Sequence, residues 1–159
     1  MQAQLLTRPQ ACLFEVDPAI QVNRWESLIE QTFVMVKPDG VRKGLVDEIV
    51  ARIQRAGLKV ASARRMKFDR ELAERLYSVH RGKPFFENLV THVLSGEVVV
   101  MTVEGDQAIS KMRELIGATD PSKAAKGTIR GDFASSITEN IIHAADSPEN
   151  ARREISIFF

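Results

Sequence analysis

Imidazole is a competent nucleophile near neutral pH, and its two nitrogens can divide the work, one reacting while the other is held by a hydrogen bond. Of the 3 histidines in the chain, His143 stands out by position. It follows Ile141-Ile142, which read as the end of a buried strand. It precedes Ser147-Pro148-Glu149, which read as a helix start: a capping hydroxyl, a proline suited to the first turn and an acid suited to the positive helix end. Glu154 lies further along that helix. Position alone does not separate a reactive imidazole from a structural one. His80 and His92 fall in helical segments with charged or polar neighbours and read as ordinary surface residues.

Three basic residues stand where phosphate would want them. Lys37 ends a strand, Arg113 lies on a helix ahead of a long loop, and Arg130 sits inside that loop beside Gly127, Thr128 and Gly131. Guanidinium forks and hydroxyls match phosphate oxygens, although any one such residue reads equally as a solvated charge. There is no GxxxxGK[ST] and no GxGxxG, which excludes a P-loop and a Rossmann turn. Tyr77, the 1 tyrosine of the chain, lies beside an inner helical face and reads as packing or as part of a site. Phe85 and Phe86 are adjacent and cannot both face one core, so one is free to stack on a planar ligand or a neighbouring subunit.

The elements that must position these residues alternate. Thr32 to Lys37 is a short strand, ended by the turn chemistry of Pro38-Asp39-Gly40. Leu45, Ile49, Ile53 and Ala56 keep helical spacing up to Gly57. Leu58 to Phe68 reads as a strand with Leu58, Val60, Ser62, Arg64 and Met66 on alternate positions. Asp69 caps a helix whose inner face carries Leu72, Leu76 and Val79, and a second helical segment runs through Phe86, Val90 and Val93 to Gly96. Glu97 to Glu104 is the clearest strand, followed by a helix with Ile109, Met112 and Ile116 inward and Gly117 as its stop. Ala118 to Asn140 has no sustained periodicity, and a loop so long within one domain is usually functional or disordered. Strands alternating with helices make a sandwich of helices packed on a sheet.

The 159 residues favour one domain with a proper core. Hydrophobic residues make up 44% and charged ones 27%, as in ordinary globular proteins. With 22 basic and 21 acidic side chains, there is no general attraction to nucleic acid or membrane. No apolar run is long enough to span a bilayer. Cys12 alone cannot form an internal disulfide, and a reducing, cytoplasmic setting is expected. Residues 1–31 read as an N-terminal extension ahead of a domain spanning 32–159. Trp25, Leu28 and Ile29 would form one helical face, either an interaction arm or part of a dispensable appendage.

Taken together, "TFVMVKPDGVRKGLV", "HRGKPFFENLV", "LIGATDP", "KGTIRGDF" and "NIIHAADSPENARREISIFF" resemble the nucleoside diphosphate kinase family in order and spacing from Thr32 to Phe159. The resemblance implies an α+β fold, a ferredoxin-like sandwich with a four-stranded antiparallel sheet covered by helices. It implies transfer of the γ-phosphate of a nucleoside triphosphate to a nucleoside diphosphate, ribo or deoxyribo, by a ping-pong route through a phosphohistidine on His143. By the same resemblance Arg113, Thr119 and Arg130 hold the phosphates, with Tyr77 near the γ-phosphate. Lys37 and Asn140 hold the sugar hydroxyls, Phe85 stacks on the base with Leu89 beside it, and Asp146 and Glu154 support the site. Magnesium (Mg2+) is expected to arrive on the nucleotide phosphates rather than in a protein cage.

Assembly as a homo-oligomer is implied too. Lys123 to Lys126 lies in the loop that supports hexamers, which favours a hexamer over a tetramer, although the chain stops at Phe158-Phe159 without a longer tail. Two positions depart from the family pattern: Ala144 and Ala145 stand where glycine and serine are usual. The second removes a hydroxyl that would bond to Glu154, so a slower enzyme is expected. A nucleotide-binding regulatory paralogue with weakened or lost turnover is the alternative.

Overall fold

Strand β1 (Glu30–Val36) carries an unbroken buried run, Thr32 to Val36, because both of its faces are covered. Val34 and Val36 point into one apolar layer, Phe33 and Met35 into the other. The computed structural model describes residues 29–159. Trp25 and Leu28 of the expected helical face lie outside that range, whereas Ile29 precedes β1 and is 49% exposed.

Among the described residues β1 joins β2 (Lys59–Lys67), β3 (Glu97–Gly105) and β4 (Ile142–Ala144) in one sheet of order β2-β3-β1-β4. Every pairing is antiparallel. The first layer packs on helices α2 (Val46–Arg55) and α5 (Ala108–Ile116), which present Ile49, Ile53, Met112 and Ile116. The second packs on α3 (Arg70–Leu76), α4 (Phe86–Val93) and α7 (Pro148–Phe158), with Leu76, Val90, Val93 and Phe158 inward. This is the four-stranded antiparallel sheet covered by helices, the ferredoxin-like α+β sandwich, that the motifs imply.

Several local expectations are corrected. Pro38-Asp39-Gly40 is not a simple turn but opens a one-turn helix, α1 (Pro38–Arg42), with proline at its first position. The alternation expected along β2 does not hold on one face, because a bulge between Val60 and Ser62 shifts the register. Val60 therefore packs on the first layer and Met66 on the second, while most of β2 is an exposed edge. The aperiodic loop contains a short helix, α6 (Ile129–Phe133), capped by Thr128, whose hydroxyl accepts the Gly131 amide at 3.0 Å. Five residues give too short a span for periodicity to mark it.

Two glycines let backbones approach where the site is built. A Cβ on Gly40 would lie 2.8 Å from the Ile141 carbonyl oxygen, so only glycine lets α1 sit against the turn before β4. Gly117 ends α5 at a φ of 84°, and a Cβ there would lie 2.5 Å from the Thr128 hydroxyl.

Candidate active site

His143 is the middle residue of β4, paired with Met35, and not a residue beyond the strand end. Ile142 and Ala144 turn into the first layer, so the pleat sends the imidazole to the opposite face, where α7 and the end of α3 meet. Its ring lies 5.9 Å from Phe33 and edge-on to Tyr77 at 6.1 Å. Nε2 is 2.8 Å from Glu154 Oε1, and the Glu154 side chain is only 5% exposed. A carboxylate only accepts, which puts the proton on Nε2 and leaves a lone pair on Nδ1. Nδ1 makes no hydrogen bond to the described residues.

Glu154 Oε2 is buried without a partner among the described residues. Ala145, itself buried, has no hydroxyl to offer it.

The His143 face opens on a cleft of about 370 Å³. All the residues expected to act together line it: Lys37, Tyr77, Phe85, Leu89, Arg113, Thr119, Arg130, Asn140, Asp146 and Glu154. A larger groove of about 1010 Å³ near the start of β1 and α7 holds none of them. Size alone does not mark a site, and the convergent polar groups favour the smaller cleft.

Each basic group is aimed by backbone. Arg130, buried within α6, donates to the Ile142 carbonyl at 2.8 Å and to the Gly117 carbonyl at 3.2 Å, and its Nε stays buried without a partner among the described residues. Burial and the nearby Arg113 lower its guanidinium to about 10, which leaves it charged at neutral pH. Arg113 reaches from α5 to the Ala144 carbonyl at 3.2 Å. Lys37 Nζ donates to Asn140 Oδ1 at 2.9 Å and to the Thr138 carbonyl at 2.6 Å. Burial, opposed by Asp39, pushes its ammonium down to about 8. Asn140 in turn donates to the Thr119 carbonyl at 3.3 Å, which ties the loop to the strand.

The mouth is apolar. Phe85 is 44% exposed at the start of α4 with Leu89 one turn on, while Phe86 packs into the second layer. One aromatic inward and one outward is what their adjacency demands. Val79 is not on an inner helical face as expected: α3 ends at Leu76, and Val79, 47% exposed, joins the cleft lining with Ile137, 58% exposed, which sequence reasoning missed. Ile137 lies in the aperiodic loop, where no pattern marks it.

Burial pushes the Tyr77 phenol far above its ordinary range, with the Glu154 charge adding to it, so the hydroxyl is a neutral donor. Its oxygen is buried without a partner among the described residues. Asp146 is exposed at the other end of the cleft, and a 2.7 Å hydrogen bond from Asn150 holds its carboxyl below the ordinary value.

Two histidine expectations are overturned. His80 is no ordinary surface residue: it lines the cleft with its ring edge-on to Phe85 at 5.3 Å. Burial lowers its basicity, and the Lys83 charge adds to this. His92 is buried on α4 and bonds to Asp39 at 3.0 Å. A helical pattern cannot reveal an acid that arrives from a distant helix.

An imidazole backed by a carboxylate and ringed by cations, on a ferredoxin-like sandwich, defines a phosphotransferase that works through histidine. The sequence pattern of the family described as nucleoside diphosphate kinase matches residues 30–159. The chain belongs to the nucleoside diphosphate kinase family. A nucleoside diphosphate kinase of Ignicoccus hospitalis is 59% identical over 131 residues, which is 82% of this chain and 89% of that relative. The solved structure of the Aquifex aeolicus nucleoside diphosphate kinase superposes with a TM-score of 0.80 at 40% identity, covering 82% of this chain and 95% of that one. The Halobacterium salinarum nucleoside diphosphate kinase, solved in complex with CDP, gives a TM-score of 0.79 at 47% identity, covering 82% and 87%.

Proposed function

We propose that His143 carries the phosphoryl group while this enzyme transfers the γ-phosphate of a nucleoside triphosphate to a nucleoside diphosphate. Nδ1 attacks the γ-phosphorus as the bond to the β-phosphate oxygen breaks. The diphosphate leaves, and a terminal oxygen of a second diphosphate then displaces the phosphoryl group from nitrogen. The observation that carries this reading is the 2.8 Å bond from Nε2 to Glu154, which fixes the tautomer and leaves Nδ1 unbound on the cleft.

Phosphoryl transfer asks for positioning and charge stabilisation more than for proton transfer. Arg113, Arg130 and Thr119 hold the phosphates, and the neutral Tyr77 hydroxyl donates beside the γ-phosphate. Lys37 and Asn140, already bonded to each other, take the sugar hydroxyls. Phe85 stacks on the base with Leu89 beneath. Stacking without base-edge hydrogen bonds suits purines and pyrimidines alike.

Magnesium enters with the nucleotide, held by its phosphates. No cluster of three or more His, Cys, Asp or Glu that could hold a metal occurs among the described residues, and Asp146 is the exposed carboxylate on the cleft. The ion would shield the β- and γ-oxygens. A homo-oligomer, as a hexamer, belongs to this reading. The exposed edge of β2, whose backbone groups lack a neighbouring strand among the described residues, and the loop Lys123 to Lys126 support it. A cytoplasmic setting goes with it, and no described helix is long and apolar enough to cross a membrane. The alternative of a regulatory paralogue is not favoured, because the nucleophile and every phosphate, sugar and base residue are retained.

Initial-rate kinetics with ATP and a second diphosphate test the scheme. Parallel double-reciprocal lines, with ATP–ADP exchange in the absence of any acceptor, are expected. Intersecting lines without that exchange would mean direct transfer in a ternary complex.

A further inference from the structure

Ile141 has a φ of 75° and is fully buried. A β-branched residue adopts that left-handed conformation only when its surroundings impose it. It stands between Asn140 and the strand that bears His143, so whatever holds it sets both groups. Three contacts do so. Its carbonyl accepts the Lys37 amide at 2.8 Å, Gly40 packs against that carbonyl, and its own amide donates to Asp39 Oδ2 at 3.0 Å.

Asp39 is itself held from elsewhere. Its other oxygen lies 3.0 Å from His92 Nε2, and the two side chains are 4% and 8% exposed. Burial alone would raise the Asp39 carboxyl, but His92 and the Ile141 amide outweigh it and keep the group below its ordinary value. His92 lies on α4, the helix that carries Leu89 and has Phe85 at its N-cap. Helix α1, helix α4 and the turn before β4 therefore meet in one buried chain of hydrogen bonds.

We infer that Asp39 and His92 are positioning residues: His92 orients Asp39, Asp39 holds the left-handed turn at Ile141, and that turn places Asn140 and His143 against the helix that binds the base. The inference rests on the roles proposed above for Asn140, Phe85 and His143. Neither Asp39 nor His92 lines the cleft, so neither touches substrate.

The test compares His92→Phe, which keeps a flat ring without a donor, with His92→Gln, which restores one. In the full-length chain, kcat/KM for phosphorylation by magnesium ATP is expected to fall at least tenfold in H92F and to stay within threefold of wild type in H92Q. Amide exchange of Ile141, followed by NMR, is expected to quicken at least tenfold in H92F while Val34 and Val100 keep their protection. A general loss of stability would not give that pattern. If H92F does not fold, His92→Met replaces it. Unchanged kcat/KM and Ile141 exchange, an H92Q as impaired as H92F, or failure of both apolar variants to fold would overturn the inference. Wild-type protein that takes up no phosphoryl group would instead refute the reading of His143, and the Ile141 exchange would still judge this one.

Discussion

Glu154→Ala removes the partner that fixes the His143 tautomer. A buried hydrogen bond to a charged group contributes about 1.5–3 kcal/mol, and about 1.4 kcal/mol is tenfold in rate. The 2.8 Å bond is short and its acceptor only 5% exposed, so solvent does not dilute it. Phosphorylation of His143 should therefore slow by about tenfold to hundredfold. Stability should move little, because the substitution also removes a buried oxygen, Oε2, that has no partner among the described residues. Glu154→Gln keeps an acceptor but loses the charge, and a neutral hydrogen bond contributes about 0.5–1.5 kcal/mol. Its rate should lie between E154A and wild type. The assay is single-turnover rapid quench with magnesium ATP in excess, scoring acid-labile phosphate, beside a thermal melt. An E154A protein that phosphorylates within twofold of wild type would refute the tautomer reasoning.

Ala145→Ser offers a hydroxyl towards Glu154 Oε2, and tighter support of the catalytic pair should raise the phosphorylation rate by up to about tenfold, read in the same quench experiment. Lys37 is charged below its value of about 8 and neutral above it. In a pH series kcat/KM should accordingly fall as pH rises through about 8, and a profile flat to pH 10 would contradict the buried ammonium. Phe85→Ala should raise KM for ADP and CDP alike by about tenfold, since base stacking contributes about 1–3 kcal/mol, while the melting temperature holds because the ring is 44% exposed.

The sandwich was legible because its strands and helices carry plain periodicities and sharp stops. The run Phe33 to Val36 and the helical spacing of Ile49 and Ile53 both land in the core. What periodicity could not supply was long-range register. The bulge after Val60 flips the faces of β2, and it leaves no mark in a pattern of alternating apolar and charged residues. The polar neighbours of His92 in the sequence suggest a solvent-facing residue, yet its partner Asp39 comes from a helix 53 residues earlier in the chain. His80 was misread for a related reason: its closest aromatic contact, Phe85, lies across a turn whose path the sequence does not give. The site residues implied by the family resemblance, by contrast, all meet on the walls of a single cleft, to which the fold adds Val79, His80 and Ile137.

Mapping the phosphoryl group after incubation with magnesium ATP tests the central claim most directly. Mass spectrometry under non-acidic conditions should find one acid-labile phosphoryl group on the peptide containing His143, lost on adding GDP with GTP formed, and absent from His143→Ala. A phosphoryl group on any other residue, or undiminished nucleotide exchange by H143A, would contradict it.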